Sequence, residues 1–447
     1  MTDDHGADRV ASRSARRSAR LRAWSYWPAL SHPVLRRLLP GYALSALGDG
    51  MSAVAIAWLA LRLVPGPDRG LWVGAAVAAY TVPGVLGAVT LGRWLRYRSG
   101  VRLVAADAVL RAAALGAIPL LSAAHALHPV TYVCLLGASS LLSAWGSAGQ
   151  YTLMAQILPA RHRVAGNALL SSMSELTLVV GPGLAGVLTV VAGPAVVIGV
   201  DALTWAVLAL SYWRAAPMAA LASASASDSA PAPEGPVAAG APGPAGASAW
   251  RVIGANRTLL GLIGLSFAFF LLYGPVEVAL PVHIAGDLHA SAALLGTFWA
   301  VFGIGSVLGS LAAPYLRRWP LWPTMIGIVA GWGLSLLPLG LGAPIGLSLA
   351  AFAAGGLIYA PYNSLAMAVF QDATPAGGLA AVLAARASVM ILAAPIGTAL
   401  GGPLVAALGA QGTLLASALT TIALAMLALA AAPRARARAA RPAPPTK

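Results

Sequence analysis

The feature that most constrains this chain is a series of apolar runs, each about as long as a lipid bilayer is thick. A helix that crosses a bilayer needs about 20 mostly apolar residues. Twelve such runs occur, separated by short polar connections, at residues 38–63, 71–91, 103–123, 130–157, 165–191, 195–213, 258–281, 291–316, 323–342, 345–370, 379–408 and 412–432. The sequence therefore predicts an all-α membrane protein with twelve transmembrane helices.

The charge content supports a lipid environment. Only 9% of the residues are charged, whereas soluble domains carry about 25%, and the mean hydropathy is +0.80. These values exclude a soluble enzyme and a disordered regulator, and the single cysteine, Cys134, excludes a disulfide scaffold. The net charge of +15 would suit nucleic-acid binding, but the arginines lie in short clusters between apolar runs. We therefore expect the chain to associate with the lipid bilayer and not to bind nucleic acid.

One polar stretch divides the chain in two. Residues 214–250 are rich in Ala, Ser, Pro and Gly and have no apolar helical face, which predicts a flexible cytosolic linker. It separates a six-helix bundle at 38–213 from a second at 251–432. Basic tails at 1–37 and 433–447 flank the two bundles.

An internal repeat supports this division. At a constant spacing of 216 residues, prolines or glycines recur in the same order: Pro159 and Pro375, Gly181 and Gly397, Gly186 and Gly402, Gly193 and Gly409. Parallel repeats of this kind are typical of transporters whose two halves are related by an axis along the membrane normal.

Arginine and lysine positions predict the orientation. With the N-terminus inside, 25 of the 28 Lys and Arg residues fall in cytosolic segments, as the positive-inside rule requires. We therefore expect a multi-pass protein of the cell membrane with both termini in the cytoplasm.

Acidic residues inside predicted spans are the main functional candidates. A charged carboxylate at the bilayer centre costs about 2.5–3.5 kcal/mol on insertion scales, so such residues usually face a polar path. Asp49 lies about 16 Å deep at 1.5 Å per residue and is the first candidate for proton coupling or substrate contact. The alternative is a structural carboxylate capped at the break between Gly48 and Gly50. Glu175, beside three serines, and Asp201, expected at an outer vestibule, are further candidates for the same path.

Two other acids favour structural interpretations. Asp107 and Arg111 are four residues apart on one predicted helix, so they can form an ion pair. Glu277 is predicted near the outer surface as a solvated charge.

Two further groups of residues suit a transport path. Aromatic and polar side chains of the second half are candidates to line a cavity, although Tyr and Trp also favour membrane interfaces; they are Tyr273, Trp299, Tyr359, Tyr362, Asn363 and Gln371. Small residues and prolines are candidates for close helix packing and gating; they are Gly181, Pro182, Gly186, Gly305, Gly309, Pro395 and Gly397.

Several segments taken in order resemble the major facilitator superfamily, and within it the branch of bacterial macrolide-efflux proteins and the enterobactin exporter. They are LRRLLPGYALSALGDGMSAVAIAWLALRL, GRWLRYRSGVRLVAADAVLRA and LPARHRVAGNALLSSMSELTLVVGPGLAGVL, the last with the GP-x-x-x-G pattern associated with exporters. The resemblance implies two six-helix bundles that rock around a central site. It implies efflux of a small amphipathic drug, antibiotic or siderophore in exchange for protons, by a monomer without cofactor or metal.

Two departures concern the cytosolic loops. Arg96 stands where the superfamily carries an acid, and Leu379 to Ala381 replace an Arg-Gly-Arg step. An altered cytosolic latch leaves it open whether the protein is active. The alternatives are an uptake permease, a non-transporting membrane sensor and a polytopic enzyme. Scattered histidines disfavour the enzyme, and the chain has no phosphate-binding Gly-x-x-x-x-Gly-Lys-Ser/Thr run.

Overall fold

All the regular structure in the described part of the chain is helical. The computed structural model describes residues 30–91, 98–227, 244–316, 318–374 and 379–439. The first lobe contains α1 (Pro33–Leu63), α2 (Arg69–Thr90), α3 (Gly100–Ala123), α4 (Pro129–Ser140), α5 (Ser143–Ile157), α6 (Ala160–Ala192) and α7 (Pro194–Ser227). The second contains α8 (Pro244–Ala255), α9 (Arg257–Val282), α10 (Ala292–Leu316), α11 (Leu321–Gly340), α12 (Ile345–Tyr359), α13 (Pro361–Ala373) and α14 (Leu379–Ala439).

The helices account for twelve membrane crossings. Ten helical segments of the described chain are long and apolar enough to cross a bilayer, with α4 and α5 forming one of them and α12 and α13 another. The longest helix, α14, turns at Gly409, where φ is 73°, and so makes two crossings. The 33-residue α6 supplies the remaining one. The predicted all-α, twelve-helix fold is confirmed.

Each lobe is built around its own helix contacts. In the first lobe, α7 packs on α1 and α3, and α1 packs on α6; in the second, α9 and α11 pack on α14, and α10 packs on α12. The lobes meet where α6 contacts α10 and where α2 contacts α14.

The repeated glycines occupy matching positions within the two lobes. A Cβ atom on Gly181 of α6 would lie 2.6 Å from the carbonyl carbon of Gly50 in α1. A Cβ on Gly274 of α9 would lie 2.7 Å from Cα of Gly397 in α14. Real Cβ atoms are not found this close to a backbone, so only glycine allows these helix pairs to approach in this way.

The next pair of repeated glycines joins the lobes. A Cβ on Gly186 of α6 would lie 3.1 Å from Cα of Gly296 in α10. A Cβ on Gly74 of α2 would lie 2.5 Å from Cα of Gly402 in α14. Gly186 and Gly402 are themselves 216 residues apart, so the two halves of the repeat make equivalent contacts across the lobe boundary.

These contacts between lobes lie at one end of the molecule. Gly74 lies near the start of α2, Gly296 near the start of α10, and Gly186 near the end of α6. In the orientation predicted from the basic residues, all three positions would lie in the outer half of the membrane. The last repeated pair, Gly193 and Gly409, both have positive φ, 88° and 73°, and end crossings at this same face.

The predicted linker needs a correction. Helix α7 continues to Ser227 and α8 begins at Pro244, so both ends of the 214–250 stretch are helical, and 228–243 lies outside the described residues. The lack of an apolar face predicts flexibility, but alanine has the highest intrinsic helix propensity and favours continuation of a helix that has already formed. The division into domains otherwise stays a prediction.

The two loop motifs that depart from the superfamily pattern lie mostly outside the described part of the chain. Residues 92–97, which include Arg96, lie outside the described part of the chain. Leu379 begins α14, but the side chains of residues 379–381 also lie outside it.

Candidate functional site

Charged and polar side chains from four helices meet inside the first lobe. Arg111 of α3 bonds to two carboxylates: its Nη1 lies 3.2 Å from Oδ1 of Asp49 on α1, and its Nε lies 3.3 Å from Oδ1 of Asp107, one turn away on α3. Tyr80 of α2 and Asp201 of α7 adjoin them. We call these five residues the ionic cluster.

Asp49 is the accessible member of the ionic cluster. The Tyr80 hydroxyl donates a hydrogen bond of 2.6 Å to Oδ1 of Asp49, the same oxygen that Arg111 contacts. The Asp49 side chain is 38% exposed, whereas Arg111 is 10% and Asp107 4% exposed. Asp49 is therefore the carboxylate of the ionic cluster that solvent reaches most readily.

Asp201 is fully buried, and its predicted position at an outer vestibule is wrong. Its carboxylate accepts hydrogen bonds from the hydroxyls of Ser52 and Thr204. The prediction measured the distance of Asp201 from the end of its helix, but the side chain points towards α1 rather than towards the membrane surface. Gly48 of α1 makes this possible, since a Cβ atom there would collide with the Asp201 carboxylate.

Other neighbours of the ionic cluster were not predicted. The guanidinium carbon of Arg111 lies 4.4 Å from the centre of the Trp205 ring, a distance at which cation and ring attract each other. Gly146 of α5 leaves room for Asp107, because a Cβ atom there would lie 2.7 Å from the Asp107 carboxyl carbon. Neither Trp205 nor Gly146 has a sequence signal that marks it, because both act through contacts with distant parts of the chain.

Aromatic rings from five helices form a cluster in the second lobe. We call it the aromatic cluster; it contains Phe269, Phe270, Tyr273, Trp299, Phe302, Trp332, Phe352, Tyr359 and Tyr362. Tyr273 is central, since its ring centre lies 5.5 Å from that of Tyr359, 5.7 Å from Trp332 and 6.4 Å from Trp299. These partners come from three other helices, so Tyr273 points into the lobe.

The aromatic cluster has a buried base and an accessible rim. Trp332 and Phe352 are fully buried, whereas Tyr273, Trp299 and Tyr359 are half-buried. The sequence predicts that Tyr273, Trp299 and Tyr359 line a cavity. For these three rim residues the prediction stays a proposal.

Tyr362 does not line a cavity, which corrects the prediction. It is 1% exposed, and its hydroxyl lies 3.0 Å from that of Ser266. A buried tyrosine is stable where its hydroxyl finds such a partner, and the polar residue that provides it is 96 positions away in the sequence.

The prediction that Glu277 is a solvated outer charge is also wrong. Glu277 is half-buried on α9, one turn beyond Tyr273, and accepts a hydrogen bond of 3.1 Å from Oγ1 of Thr398 on α14. The close approach of Gly274 and Gly397 brings α14 against this carboxyl group.

The ionic cluster and the rim of the aromatic cluster lie at the same depth. A Cβ atom on Gly74 of α2 would lie 3.5 Å from Cγ1 of Val278 on α9, so these two residues share one level of the membrane. Tyr80 follows Gly74 along α2 by six residues, and Tyr273 precedes Val278 along α9 by five. If α2 and α9 run in opposite directions, as the predicted topology requires, both tyrosines lie about 8–9 Å to the same side of this contact at 1.5 Å per residue.

The remaining polar candidates are peripheral or not described. The side chains of Glu175 and Gln371 lie outside the described residues, although their backbones belong to α6 and α13. Asn363 is exposed and accepts a hydrogen bond of 3.4 Å from Arg386.

The remaining packing candidates differ in location. Pro182 lies at the lobe boundary, where a Cβ atom on Gly296 would be 2.5 Å from its carbonyl oxygen. Gly305 and Gly309 instead pack α10 against α12 inside the second lobe. Pro395 is half-buried within α14.

Comparisons with known proteins agree on one family as the nature of the similarity. The family model described as Major Facilitator Superfamily matches residues 273–447. The chain also matches a curated relative over most of its length: the multidrug efflux pump Tap of Mycobacterium tuberculosis is 27% identical over 390 residues, which cover 85% of this chain and 88% of the pump. The chain is thus similar to the major facilitator superfamily. It is a multi-pass membrane transporter.

Further matches agree with this similarity. The multidrug efflux pump Tap of Mycolicibacterium fortuitum is 26% identical over 407 residues, covering 85% of this chain and 91% of the pump. A bacterial homologue of the iron transporter ferroportin, solved in an inward-facing state, has a TM-score of 0.64 at 16% identity, over 88% of this chain and 98% of its own. A bacterial homologue of the human lysosomal transporter Spinster, also inward-facing, has a TM-score of 0.63 at 13% identity, over 89% and 95%. At these identities the structural matches concern the superfamily fold alone.

Proposed function

We propose that this protein exports small amphipathic molecules in exchange for protons by alternating access. The observation that carries the proposal is the ionic cluster, in which three carboxyl groups surround one guanidinium and only Asp49 is appreciably accessible. If all three carboxyls were ionised, Arg111 would compensate one charge of three. A proton would reduce this excess, and Asp49 is the carboxyl that is accessible to it.

A chain of contacts connects Asp49 to the lobe boundary. A proton on Asp49 removes the charge that attracts Arg111 and so weakens the bonds that join α1 to α2 and α3. The next residue, Gly50, packs against Gly181 of α6. Further along α6, Gly186 contacts Gly296 of the other lobe. A change at Asp49 can thus alter the outer contact through two helices and without a long-range rearrangement.

The aromatic cluster would provide the substrate surface. Its half-buried rim gives an apolar wall at the depth of the ionic cluster, which suits an amphipathic compound. The printed name of the mycobacterial relatives, multidrug efflux pump, supports drugs or antibiotics as the class and export as the direction. We further propose that the transporter is a monomer of the plasma membrane with both termini in the cytoplasm, and that 38–213 and 251–432 are its moving lobes.

Reconstituted vesicles test the proposal. The purified protein is inserted into liposomes with an acidic lumen, and uptake of erythromycin, ciprofloxacin, ethidium and enterobactin is measured together with luminal pH reported by pyranine. We expect at least one compound to accumulate in the lumen while protons leave it, and nigericin to abolish accumulation by collapsing the pH gradient.

Two variants make the test specific to the ionic cluster. Asp49→Asn should remove pH-driven accumulation, because the amide cannot carry the proton. Asp68→Asn is the matched control, since Asp68 is exposed before α2, and it should behave as the wild type. Undiminished pH-driven accumulation by Asp49→Asn would refute the coupling role, and absence of flux for every compound would favour a non-transporting sensor.

A further inference from the structure

We propose that a cavity between the two lobes binds the phosphate group of a membrane lipid. The cavity has a volume of about 410 Å³ and lies next to the contact between Gly186 and Gly296. The first lobe lines it with the ends of α1 and α6, and the second with the start of α10 and the turn after α9. The inference goes beyond the proposed transport function, because none of the lining residues belongs to the ionic cluster or to the aromatic cluster.

Arg62 supplies the positive charge of this cavity. It lies in the last turn of α1, and its Nη1 would be 3.9 Å from a Cβ atom on Gly193, at the end of α6. Among the described residues, the ion pairs belong to Arg111 with its two aspartates and to His283 with Asp287. In the same part of the chain, no acidic side chain lines the cavity. The guanidinium of Arg62 is therefore available for an anion, and guanidinium binds phosphate through paired hydrogen bonds.

The hydroxyl of Thr189 borders the cavity and lacks a partner. Thr189 is 0% exposed, yet in the described part of the chain its Oγ1 makes no hydrogen bond. Thr177 on the same helix and Thr421 on α14 instead donate to the carbonyl oxygen four residues earlier. A buried hydroxyl without a partner costs free energy, so such groups normally have a hydrogen-bond acceptor. A phosphate oxygen in the cavity would be that acceptor.

The start of α10 contributes further hydrogen-bond donors. Ser291 and Ala292, where α10 begins, line the same cavity. The first N–H groups of a helix have no partner within the helix and carry a partial positive charge, so a helix N-terminus is a common position for phosphate. Arg62 and Thr189 of the first lobe and the N-terminus of α10 in the second thus all present donors to one cavity.

The apolar walls of the cavity favour a lipid over a free anion. Trp58, Leu61 and Val190 line it beside the polar groups. Val190 is 55% exposed and Val191 is 79% exposed, and exposed apolar side chains on a helix that crosses the bilayer are typical of a membrane contact. A phospholipid can place its phosphate at Arg62 while its acyl chains follow these valines, whereas inorganic phosphate leaves the apolar walls without a partner.

Binding of dihexanoyl-phosphatidylglycerol, a short-chain anionic lipid, to the purified full-length protein tests this site. Isothermal titration in detergent measures its Kd for the wild type, Arg62→Ala and Thr189→Val. We expect Arg62→Ala to weaken binding by about tenfold or more, because a charged hydrogen bond is lost. Thr189→Val should weaken it by about threefold or more, because valine keeps the shape of threonine but cannot donate.

Arg318→Ala is the matched control for the loss of a positive charge. Arg318 is exposed and follows α10 at the end opposite to the cavity, so this variant should bind the lipid as the wild type does. An equal loss of affinity in Arg318→Ala and Arg62→Ala would mean that the lipid responds to net charge alone and would overturn the site.

Two analogues separate the phosphate from the acyl chains. Dihexanoylglycerol has the same chains without phosphate, so Arg62→Ala should bind it as the wild type does; a loss as large as that for the phospholipid would indicate damage to the fold and contradict the charge pairing. Inorganic phosphate has the charge without the chains and should bind the wild type at least about tenfold more weakly than the lipid, because it buries no apolar surface. Equal affinity for inorganic phosphate would overturn the assignment to a lipid.

Absence of wild-type binding of the phospholipid, or equal Kd values for the wild type, Arg62→Ala and Thr189→Val, would also overturn the proposal. These measurements involve neither Asp49 nor a pH gradient. The proposed export function therefore stands or fails separately, by the flux of the wild type and of Asp49→Asn.

Discussion

The glycine contact between α2 and α14 leads to a quantitative prediction about the conformational equilibrium. In Gly74→Ala the new Cβ would lie 2.5 Å from Cα and 2.7 Å from the backbone nitrogen of Gly402. Carbon atoms pack best at about 3.5–4.0 Å, so the two helices must separate by about 1 Å. Both atoms that the methyl group meets are backbone atoms, so no side-chain rotation can relieve the clash.

The cost can be converted into a population. Overpacking by one methyl group costs about 1–3 kcal/mol, and this cost applies only while the outer contact is closed. The ratio of outer-closed to outer-open molecules should therefore fall by about 5- to 150-fold. A population that is 99% closed would fall to between about 95% and 40% closed.

Double electron–electron resonance measures the distance between two spin labels, and the distance distribution gives the ratio of outer-closed to outer-open molecules. Labels at Arg62→Cys and Ser291→Cys lie on different lobes at one outer cavity, and both positions are exposed. The background is Cys134→Ser, since the native cysteine is exposed. We expect the fraction with the short distance to decrease in Gly74→Ala.

A second glycine provides the control. Gly264 of α9 has no atom within 4 Å of an added Cβ, so Gly264→Ala makes the same chemical change without a clash and should leave the distance distribution unchanged. If Gly74→Ala gives the wild-type distribution as well, the outer contact is not part of the conformational change and the reasoning is refuted.

Three further predictions concern stability and are checked by unfolding in detergent. Arg111→Ala should lower the free energy of unfolding by about 3–5 kcal/mol, because it leaves buried carboxylates without a cation, and adding Asp49→Asn should restore part of this loss; no recovery would contradict the pairing. Gly146→Ala should cost about 1–3 kcal/mol because its methyl group meets the Asp107 carboxyl, and an unchanged midpoint would contradict that contact. Gly305→Ala should cost a similar amount, since its Cβ meets a backbone carbonyl of α12, whereas Gly264→Ala should cost none.

The parts of the site that local spacing determines could be predicted from the sequence. Asp107 and Arg111 are four residues apart, and helix geometry alone places them on one face. The crossings and the two-lobe plan follow from apolar runs and the glycine repeat, which depend on composition and order rather than on tertiary contacts. Asp49 was selected because its depth in the span could be counted.

Contacts between distant segments could not be predicted in the same way. Tyr80 is 31 residues from Asp49, and Ser52 is 149 residues from Asp201, so only the packed fold brings these pairs together. A count from the end of its helix predicts that Glu277 lies at the surface, but the helix opposite it sets its environment. A count along one helix gives depth and says nothing about what faces a side chain.

Two of the contacts between the lobes are made of peptide backbone, and this affects how the transporter can move. Where Gly74 meets Gly402, and where Gly186 meets Gly296, the backbones of two helices are in contact without side chains between them. Separating these glycine surfaces frees no ordered side chains, whose ordering costs up to about 2 kcal/mol for long side chains. It also changes neither the hydration nor the pairing of an ion. The opening and closing of these two seams should consequently respond little to ionic strength, and sensitivity to salt would arise elsewhere in the cycle.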